Sequence, residues 1–179
     1  MRWAISLPLV ALALVGALWG MRHGWQARAR RSAALLPALP EVPDDLDPSL
    51  TEPLEAVYVS TVRASDRLDR VVAHGLGLRS SATVQVLASG VLVDRAGMLL
   101  FLGRDRLVQV TTSAGQAGKM MRADDAVVVL QWRPPDTPEH PLETLATALR
   151  MRRAADQEAL LAAAATLLAD GLAPQKNDP

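Results

Sequence analysis

The residues best suited to chemistry in this sequence form a glycine-rich stretch at positions 74–79, His-Gly-Leu-Gly-Leu-Arg. Its glycines can adopt positive φ, which lets successive backbone N–H groups converge on an anion. Arginine guanidinium groups bind phosphate and carboxylate groups through paired hydrogen bonds. We therefore predict a ligand or partner loop made of Arg70, His74, Gly75, Gly77 and Arg79. The alternative is a turn in which the glycines serve only backbone geometry, because no Lys-Ser or Lys-Thr pair follows them.

One lysine and the three histidines are the remaining candidates. Lys119 follows Ala-Gly at positions 117–118, where its ammonium group can reach a headgroup or a partner; the alternative is an ordinary exposed lysine at a strand turn. The histidines are scattered and give no metal-ligand spacing. The sequence also has no cysteine, no Gly-x-Ser-x-Gly and no His-Glu-x-x-His. We therefore expect a protein that is not an enzyme and that uses no cofactor and no metal.

The charge of the chain is unevenly distributed. Residues 1–31 hold five of the 19 basic residues and no acidic residue, so the rest of the chain carries 14 basic and 19 acidic side chains, a net charge of −5. This balance argues against a general binder of nucleic acid or of anionic lipid. The absence of cysteine suits a reducing compartment.

The elements that would position these residues begin with an apolar run. Residues 3–21 are nineteen residues without a charge, and as a helix they would span about 28 Å, close to the thickness of a bilayer's hydrocarbon core. Tryptophans at both ends suit the headgroup level. The sequence therefore predicts a transmembrane anchor with a basic stop at 1–31. Its marker residues are Trp3, Leu7, Leu12, Leu18, Trp19, Arg22, Arg28, Arg30 and Arg31.

The arginines set the expected orientation of this anchor. One arginine precedes the apolar run and four follow it closely, so the positive-inside rule places the amino terminus outside and the following residues in the cytoplasm. We expect a single-pass protein of the inner (plasma) membrane. The alternative is a cleaved signal peptide, but the run is longer than a typical signal segment and its one small-x-small site lies within the basic cluster.

Beyond the anchor the composition changes twice. Residues 32–53 contain recurrent prolines and several acidic residues, which predicts a stiff linker that holds the following domain away from the bilayer. Residues 54–171 would form the domain, and residues 172–179 a disordered tail. The lipid bilayer itself is the expected partner of residues 3–21.

The domain's pattern is mainly β. Short runs rich in valine and threonine alternate with glycine-marked turns, which favours a small sandwich or barrel. The predicted strands are 57–62, 83–87, 91–94, 98–102, 107–112 and 127–132. Residues 156–169 carry an apolar stripe at helical spacing and predict a helix. Residues 142–151 fit either an extension of that helix or a last strand.

Several stretches of the chain match a known pattern, of which residues 69–79, Asp-Arg-Val-Val-Ala-His-Gly-Leu-Gly-Leu-Arg, are the most distinctive. The others are 36–40, 42–43, 58–62, 90–91, 95–97, 117–119, 128–132 and 147–150. Together with the anchor, they resemble a family of single-span actinobacterial membrane proteins with a PH-like domain, some of them labelled transporters or export proteins. The sequence departs from that pattern at Ser60, which replaces a glycine, at 148–149 and at 101–103. These departures affect loop geometry more than the fold.

The resemblance implies a bent seven-strand sandwich capped by a carboxyl-terminal helix, with residues 145–151 as a strand. It implies no catalytic residues, and one span cannot form a transport path. We expect a cytoplasmic adaptor that recruits a protein partner to the membrane, and the family's gene context implies a pyrimidine-biosynthesis enzyme as that partner. The alternatives are recognition of a lipid or phosphate headgroup by the domain, and an accessory role in a membrane complex through small residues of the span.

Overall fold

The structure, a computed structural model, describes residues 3–113, 127–135 and 143–171. Each predicted strand lies within an observed one, and the predicted helix lies within the second helix. Residues 145–151 form a strand, as the resemblance implied. In chain order the elements are α1 (Trp3–Leu35), β1 (Leu54–Arg63), β2 (Ser80–Leu87), β3 (Gly90–Arg95), β4 (Met98–Gly103), β5 (Leu107–Ser113), β6 (Val127–Trp132), β7 (Leu145–Met151) and α2 (Ala154–Gly171).

The seven strands form one antiparallel sheet in the order β4-β3-β2-β1-β7-β6-β5. The sheet curls into a half-barrel with β4 and β5 at its two ends. Side chains alternate along each strand, so that one set faces the core, as in Leu54, Ala56 and Tyr58 on β1. The prediction of a mainly β, PH-like architecture with a carboxyl-terminal helix is confirmed.

Two glycines make the hairpins on either side of β3 feasible. A side chain at Gly90 would collide with the carbonyl oxygen of Leu102 on the neighbouring strand, so only glycine fits. The turn between β3 and β4 places Ala96 and Gly97 at φ of 52° and 91°. The Gly97 N–H donates to Asp94 Oδ1 at 3.0 Å, which fixes this tight turn.

The helix α2 covers the core with one face. Leu160, Ala164 and Leu167 are buried on it, at the helical spacing of the predicted apolar stripe. Its first turn holds Asp156, whose Oδ2 accepts a hydrogen bond from Arg153 Nε at 3.0 Å. The helix therefore closes one side of the half-barrel by apolar packing.

The segment after α1, which belongs to the stiff linker predicted over residues 32–53, packs against the sheet. Leu36 is fully buried in the main core, together with Leu35, and Leu39 packs against it. Val42 lies on a second, smaller cluster of Leu87, Leu92 and Phe101 on the other side of the sheet. Apolar residues between the prolines explain this packing, because they bury more surface than the composition of the segment suggested.

The rest of α1 is exposed along residues 10–24. Its uncovered apolar side chains are Val10, Leu12, Leu14, Val15, Leu18, Trp19 and Met21. Across the described residues, no helix combines the length and the apolar character needed to cross a membrane.

Candidate functional site

The last turn of α1 is clamped onto the loop between β1 and β2. Ser32 Oγ accepts hydrogen bonds from the backbone N–H groups of Val72 at 2.7 Å and Ala73 at 3.2 Å. His74 Nε2 lies 2.9 Å from the carbonyl oxygen of Leu36, so this ring nitrogen is the donor. The polar bonds at Ser32 and His74, together with the buried side chain of Leu36, thus join the helix to the domain.

The glycine-rich stretch forms a compact turn at this clamp. His74 and Gly75 adopt positive φ values of 50° and 67°. The N–H groups of Leu76 and Leu78 donate to the carbonyl oxygens of Ala73 and Gly75, at 3.0 and 3.1 Å. Because these N–H groups are engaged within the protein, the geometry favours the alternative in which the glycines shape the turn. Anion binding by this loop stays a prediction.

The guanidinium group of Arg95 binds two carbonyl oxygens of the same loop. Its guanidinium donates to the carbonyl oxygens of Gly75 and Leu78, at 3.0 and 3.1 Å, and lies 3.6 Å from the centroid of the Tyr58 ring. Only 6% of Arg95 is exposed. Burial lowers the pKa of Arg95, but an arginine keeps its proton in proteins, so a buried cation fixes the loop.

A chain of buried hydrogen bonds continues from Tyr58 through the core. Trp132 Nε1 donates to Thr147 Oγ1 at 3.0 Å, and the hydroxyl groups of Thr147 and Thr61 are 2.8 Å apart. Thr61 and Tyr58 are joined at 2.6 Å, and Tyr58 donates to the Leu76 carbonyl oxygen at 2.8 Å. Since an indole only donates and a carbonyl only accepts, all the hydroxyl groups must donate in one direction, towards the loop.

Arg70 lies in a cavity of about 220 Å³ beside the end of α1. Arg31 and Arg63 also line it, with Asp69 as the acidic member. Arg63 is neutralised on two sides, by Glu143 Oε2 at 2.6 Å and Asp69 Oδ2 at 3.5 Å. The hydrogen bond to Glu143 raises the pKa of Arg63. The cavity therefore keeps a modest positive charge, supplied by Arg31 and Arg70.

Arg79 lies in a separate cavity of about 260 Å³ on the outer face of the sheet. Arg150 and Arg152 line it together with Val57 and Met151. A weak ion pair joins Arg152 Nε and Glu55 Oε2 at 3.5 Å, between side chains that are both largely exposed. Three arginines thus converge on one surface of residues 54–171, a part of the chain in which 13 basic and 13 acidic residues balance.

The predicted loop residues consequently divide among three places. His74 and Gly75 belong to the clamp, Arg70 to the cavity beside α1, and Arg79 to the outer cavity. Gly77 packs closely against Val72.

The other predicted site residues are placed only in part. Lys119 lies outside the described residues. Of the anchor residues, the side chains of Trp3, Leu7 and Arg28 are likewise outside the described part. Those that are described on α1 are all exposed, namely Leu12, Leu18, Trp19, Arg22, Arg30 and Arg31.

Comparison with known families agrees with this architecture. The family model described as bacterial PH domain-like matches residues 36–165, most of the chain. The chain belongs to this bacterial PH-like family. The match begins at Leu36, the buried residue that follows α1, so it includes the segment that packs onto the sheet of the PH-like domain. A comparison with curated proteins finds no match to the sequence.

The PH-like domain contains one key residue that the sequence analysis missed. Arg95 lies just beyond the predicted strand 91–94 and is not among the predicted site residues, although its position on β3 carries a signal. Val91 and Val93 face the core, so the two-residue period places Arg95 on the same inner side. A charged residue at a core-facing position predicts a buried, paired cation.

Within residues 3–113, 127–135 and 143–171 of the chain, no three acidic or histidine side chains come together as a metal site. In the described part of the PH-like domain, Arg79, Arg150 and Arg152 line one cavity on the sheet, which is a feature of a binding surface.

Proposed function

We propose that this protein is a membrane-anchored PH-like binding module, an adaptor that recruits a protein partner to the membrane without catalysing a reaction. The observation that carries the proposal is the clamp between α1 and the domain at Ser32, Leu36 and His74. A helix that is fixed to a binding domain by buried contacts determines where that domain lies. A flexible tether would leave the position of the domain undetermined.

The membrane part of the proposal depends mainly on the sequence. Nineteen uncharged residues precede four arginines, an arrangement typical of a span with a cytoplasmic stop. The exposure of Leu12, Val15 and Leu18 on α1 is consistent with a lipid environment, because a row of exposed leucines is costly in water. With this orientation the PH-like domain would lie in the cytoplasm.

The partner part depends on the surface of the domain. The half-barrel has strand edges at β4 and β5, and its outer face carries the cavity of Arg79, Arg150 and Arg152. Arginine is enriched in protein interfaces, where its fork binds carboxylates and its stem packs on apolar groups. A pyrimidine-biosynthesis enzyme is the partner we propose to test first, because the family's gene context implies one.

Capture from native membranes after mild crosslinking tests the adaptor role. The full chain is compared with residues 1–31 fused to an inert domain, so that the control keeps the apolar run and its arginines but lacks the clamp and the PH-like domain. Proteins retained only by the full chain would support the proposal and identify the partner. Equal retention by both forms would assign the interaction to the span and contradict it.

A second candidate function is recognition of a lipid headgroup phosphate, favoured by the cavity of Arg31, Arg63 and Arg70 beside α1. The full chain is reconstituted in bilayers with and without anionic lipid. Headgroup binding is then measured as the quenching of a fluorescent probe that is placed near the cavity. Arg31→Gln with Arg70→Gln would reduce headgroup binding if this candidate is correct. Arg67→Gln with Arg133→Gln, both exposed and away from this cavity's lining, is the matched control.

A further inference from the structure

The connection between β1 and β2 surrounds the point at which α1 joins the domain. Its residues 69–74 contact residues 31–36 of the helix, through the hydrogen bonds of the clamp and in the lining of the cavity of Arg70. Leu68 directly precedes this contact stretch, and Leu78 follows it four residues later. The attachment of the helix therefore lies between two leucines of the same connection.

These two leucines are the most exposed large apolar side chains in the described part of residues 54–171. Leu68 is 86% exposed and Leu78 is 70% exposed, whereas the next most exposed side chain of this kind, Val108, is 42% exposed. A single exposed leucine is ordinary on a protein surface. Two leucines of such exposure beside one helix attachment favour a surface that meets an apolar partner.

The backbone holds Leu68 at the tip of a fixed turn. Asp66 Oδ1 accepts a hydrogen bond from the Leu68 N–H at 2.9 Å, and the carbonyl oxygen of Asp66 accepts one from the Asp69 N–H at 3.0 Å. The Arg63 N–H donates to the Asp69 carbonyl oxygen at 3.1 Å and closes the base of the turn. Because this backbone is already ordered, covering the leucine costs little further conformational entropy.

Leu78 is fixed in the same way, and Met98 of β4 extends the apolar surface. The Leu78 N–H donates to the Gly75 carbonyl oxygen, and the Leu78 carbonyl oxygen accepts from Arg95, both at 3.1 Å. The end of the Met98 side chain lies 3.6 Å from the place where a Cβ atom on Gly75 would stand. Leu68, Leu78 and Met98, the last of which is 38% exposed, together form an apolar rim.

The burial of α1 indicates how far the domain extends along the helix towards the apolar run. Ser32 is buried, Ala29 and Gln26 on the same face are half-buried, and residues 10–24 are exposed. Gln26 follows Met21 by five residues, which is about 8 Å of helix. The headgroup layer on each side of a bilayer is about 5–8 Å thick. In the proposed orientation, the side of the domain next to α1 therefore lies at the headgroups.

We infer that the apolar rim rests in the bilayer interface, with Leu68 and Leu78 at the boundary between headgroups and acyl chains. The bilayer is the occupant because the two leucines flank the attachment of the helix whose apolar run would enter it. Burial of the leucines against acyl chains supplies the attraction. The inference rests on the proposed membrane anchoring and adds how the PH-like domain is oriented.

The charged residues around the apolar rim are compatible with this contact. Arg67 and Arg79, each next to one of the leucines in sequence, are exposed, and their guanidinium groups can reach lipid phosphates. Asp66 accepts a backbone hydrogen bond within its turn, and Asp69 pairs with Arg63 at 3.5 Å, so the domain's own groups compensate both carboxylates. Since zwitterionic lipids also carry phosphate, the contact needs no net negative charge on the bilayer.

Site-specific fluorescence tests the inference, because the chain contains no cysteine. Leu68→Cys and Leu78→Cys are labelled with the environment-sensitive dye NBD, and each full chain is reconstituted in phosphatidylcholine vesicles that contain a spin label high on the acyl chain. We expect a blue-shifted emission and quenching by about twofold or more at both positions. Water-like emission without quenching at either position would overturn the inference.

The matched control uses two exposed leucines elsewhere. Leu46 and Leu50 are 48% and 49% exposed, and the Leu50 N–H donates to the Val86 carbonyl oxygen, at the opposite end of β2 from Leu78. Labels at Leu46→Cys and Leu50→Cys should keep a water-like emission. Equal quenching at these positions and at the apolar rim would show that lipid contacts the domain without preference, which contradicts the inference.

A second variant tests the cause of the contact without a label on the leucines. In Leu68→Gln with Leu78→Gln, the quenching of NBD at Met98→Cys should fall by about twofold or more, whereas Leu46→Gln with Leu50→Gln should leave it unchanged. The same quenching in both variants would show that the leucines do not hold the domain at the bilayer. Circular dichroism confirms that each variant is folded.

Two further results would assign the apolar rim to another occupant. Quenching that appears only when anionic lipid is added would assign the contact to headgroup charge. Labels that are shielded in native membranes but not in phosphatidylcholine vesicles would assign the rim to a protein partner. Either result would overturn contact with the bilayer through apolar burial.

A label within the apolar run separates this inference from the proposed function. If NBD at Leu12→Cys is quenched while Leu68→Cys and Leu78→Cys stay water-like, the anchor stands and the rim is overturned as a lipid contact. If the rim positions are quenched and Leu12→Cys is not, the anchor fails and the rim is supported as a separate membrane contact. Capture from native membranes tests the adaptor role independently of these labels.

Discussion

Tyr58 is the only tyrosine in the chain and the last donor in the buried row of hydroxyl groups. Burial raises its pKa from 10.0 to about 12, against the smaller lowering effects of the Thr61 hydrogen bond and the Arg95 charge. The folded protein thus keeps the Tyr58 proton at a pH where the unfolded chain loses it. The contribution of the Tyr58 proton to the free energy of unfolding is fully present below pH 10. It decreases as the pH rises towards 12, by about 3 kcal/mol in total.

Ultraviolet absorbance of tyrosinate measures this titration without interference from a second tyrosine. We expect ionisation of Tyr58 near pH 12, or together with unfolding at a somewhat lower pH. The variant Tyr58→Phe should lose the steep part of the alkaline denaturation curve. Ionisation near pH 10 in a chain that is still folded would show that the ring is not buried as described.

Arg95 provides a second test at the residue scale. In Arg95→Met the apolar stem remains, but the carbonyl oxygens of Gly75 and Leu78 lose their charged donor and the Tyr58 ring loses the cation. We expect the free energy of unfolding to fall by about 3–6 kcal/mol, because two hydrogen bonds from a charged donor are lost and each contributes about 1.5–3 kcal/mol.

Chemical denaturation of the full chain in detergent, followed by circular dichroism, measures this loss. Arg67→Met is the control, since Arg67 is exposed on the same connection between β1 and β2 and should change stability little. If both variants unfold at the same denaturant concentration, Arg95 does not hold the loop.

At the scale of elements, the strands were predictable because their signals are local. The alternation of Val91, Val93 and their neighbours, with glycine at the turns, is contained within six or seven residues. The sequence pattern alone left residues 145–151 open between helix and strand. Between Leu145, Thr147 and Leu149 lie Ala146 and Ala148, which are buried as well, so the strand lacks the alternation of apolar and polar residues that identifies a half-exposed strand.

The clamp and the outer cavity of Arg79, Arg150 and Arg152 were not predictable in this way. Ser32 bonds to residues forty positions later, and Arg79 meets Arg150 only through the register of β1. Such contacts depend on how the sheet curls and on which loop packs against α1. The sequence pattern therefore identified Arg70, His74 and Arg79 as one site, whereas the fold separates them.

The packing of the segment after α1 leads to a prediction about truncation. A fragment of residues 54–179 lacks Leu35, Leu36 and Leu39, which pack in the main core. Removing one buried leucine side chain costs about 2–5 kcal/mol, and the total for these residues is comparable with the whole stability of a small domain. We expect this fragment to be unfolded or aggregated, and a fragment of residues 29–179 to fold.

Circular dichroism and size-exclusion chromatography of the two fragments distinguish these outcomes. Leu36→Ala in the longer fragment should be destabilised by about 2–5 kcal/mol, whereas the exposed Leu46→Ala should not. A folded, monomeric fragment 54–179 would show that residues 32–53 are dispensable, as the spacer hypothesis requires.

At the scale of the whole molecule, α1 replaces the linker as the element that would set the distance between bilayer and domain. The helix is continuous from Trp3 to Leu35, and Ser32 contacts the domain eleven residues after Met21. At about 1.5 Å per residue, the clamp lies about 16 Å along the helix from the end of the apolar run. In the proposed membrane orientation, the domain would therefore stay close to the headgroups.

This orientation can be tested because the chain contains no cysteine. A cysteine inserted after Met1 should react with a membrane-impermeant maleimide in intact cells, and Thr112→Cys, exposed on β5, should react only after permeabilisation. Both forms should remain in the membrane after alkaline carbonate extraction.

Replacing Arg22, Arg28 and Arg30 by glutamine isolates the cause of the orientation, because these residues carry most of the charge asymmetry and lie outside the clamp. The positive-inside rule then expects a mixture of both labelling patterns. Unchanged labelling would mean that the folded domain, and not the arginines, fixes the topology. Release of the wild type by carbonate would contradict the span itself, and the exposed leucines of α1 would then need a protein surface as their cover.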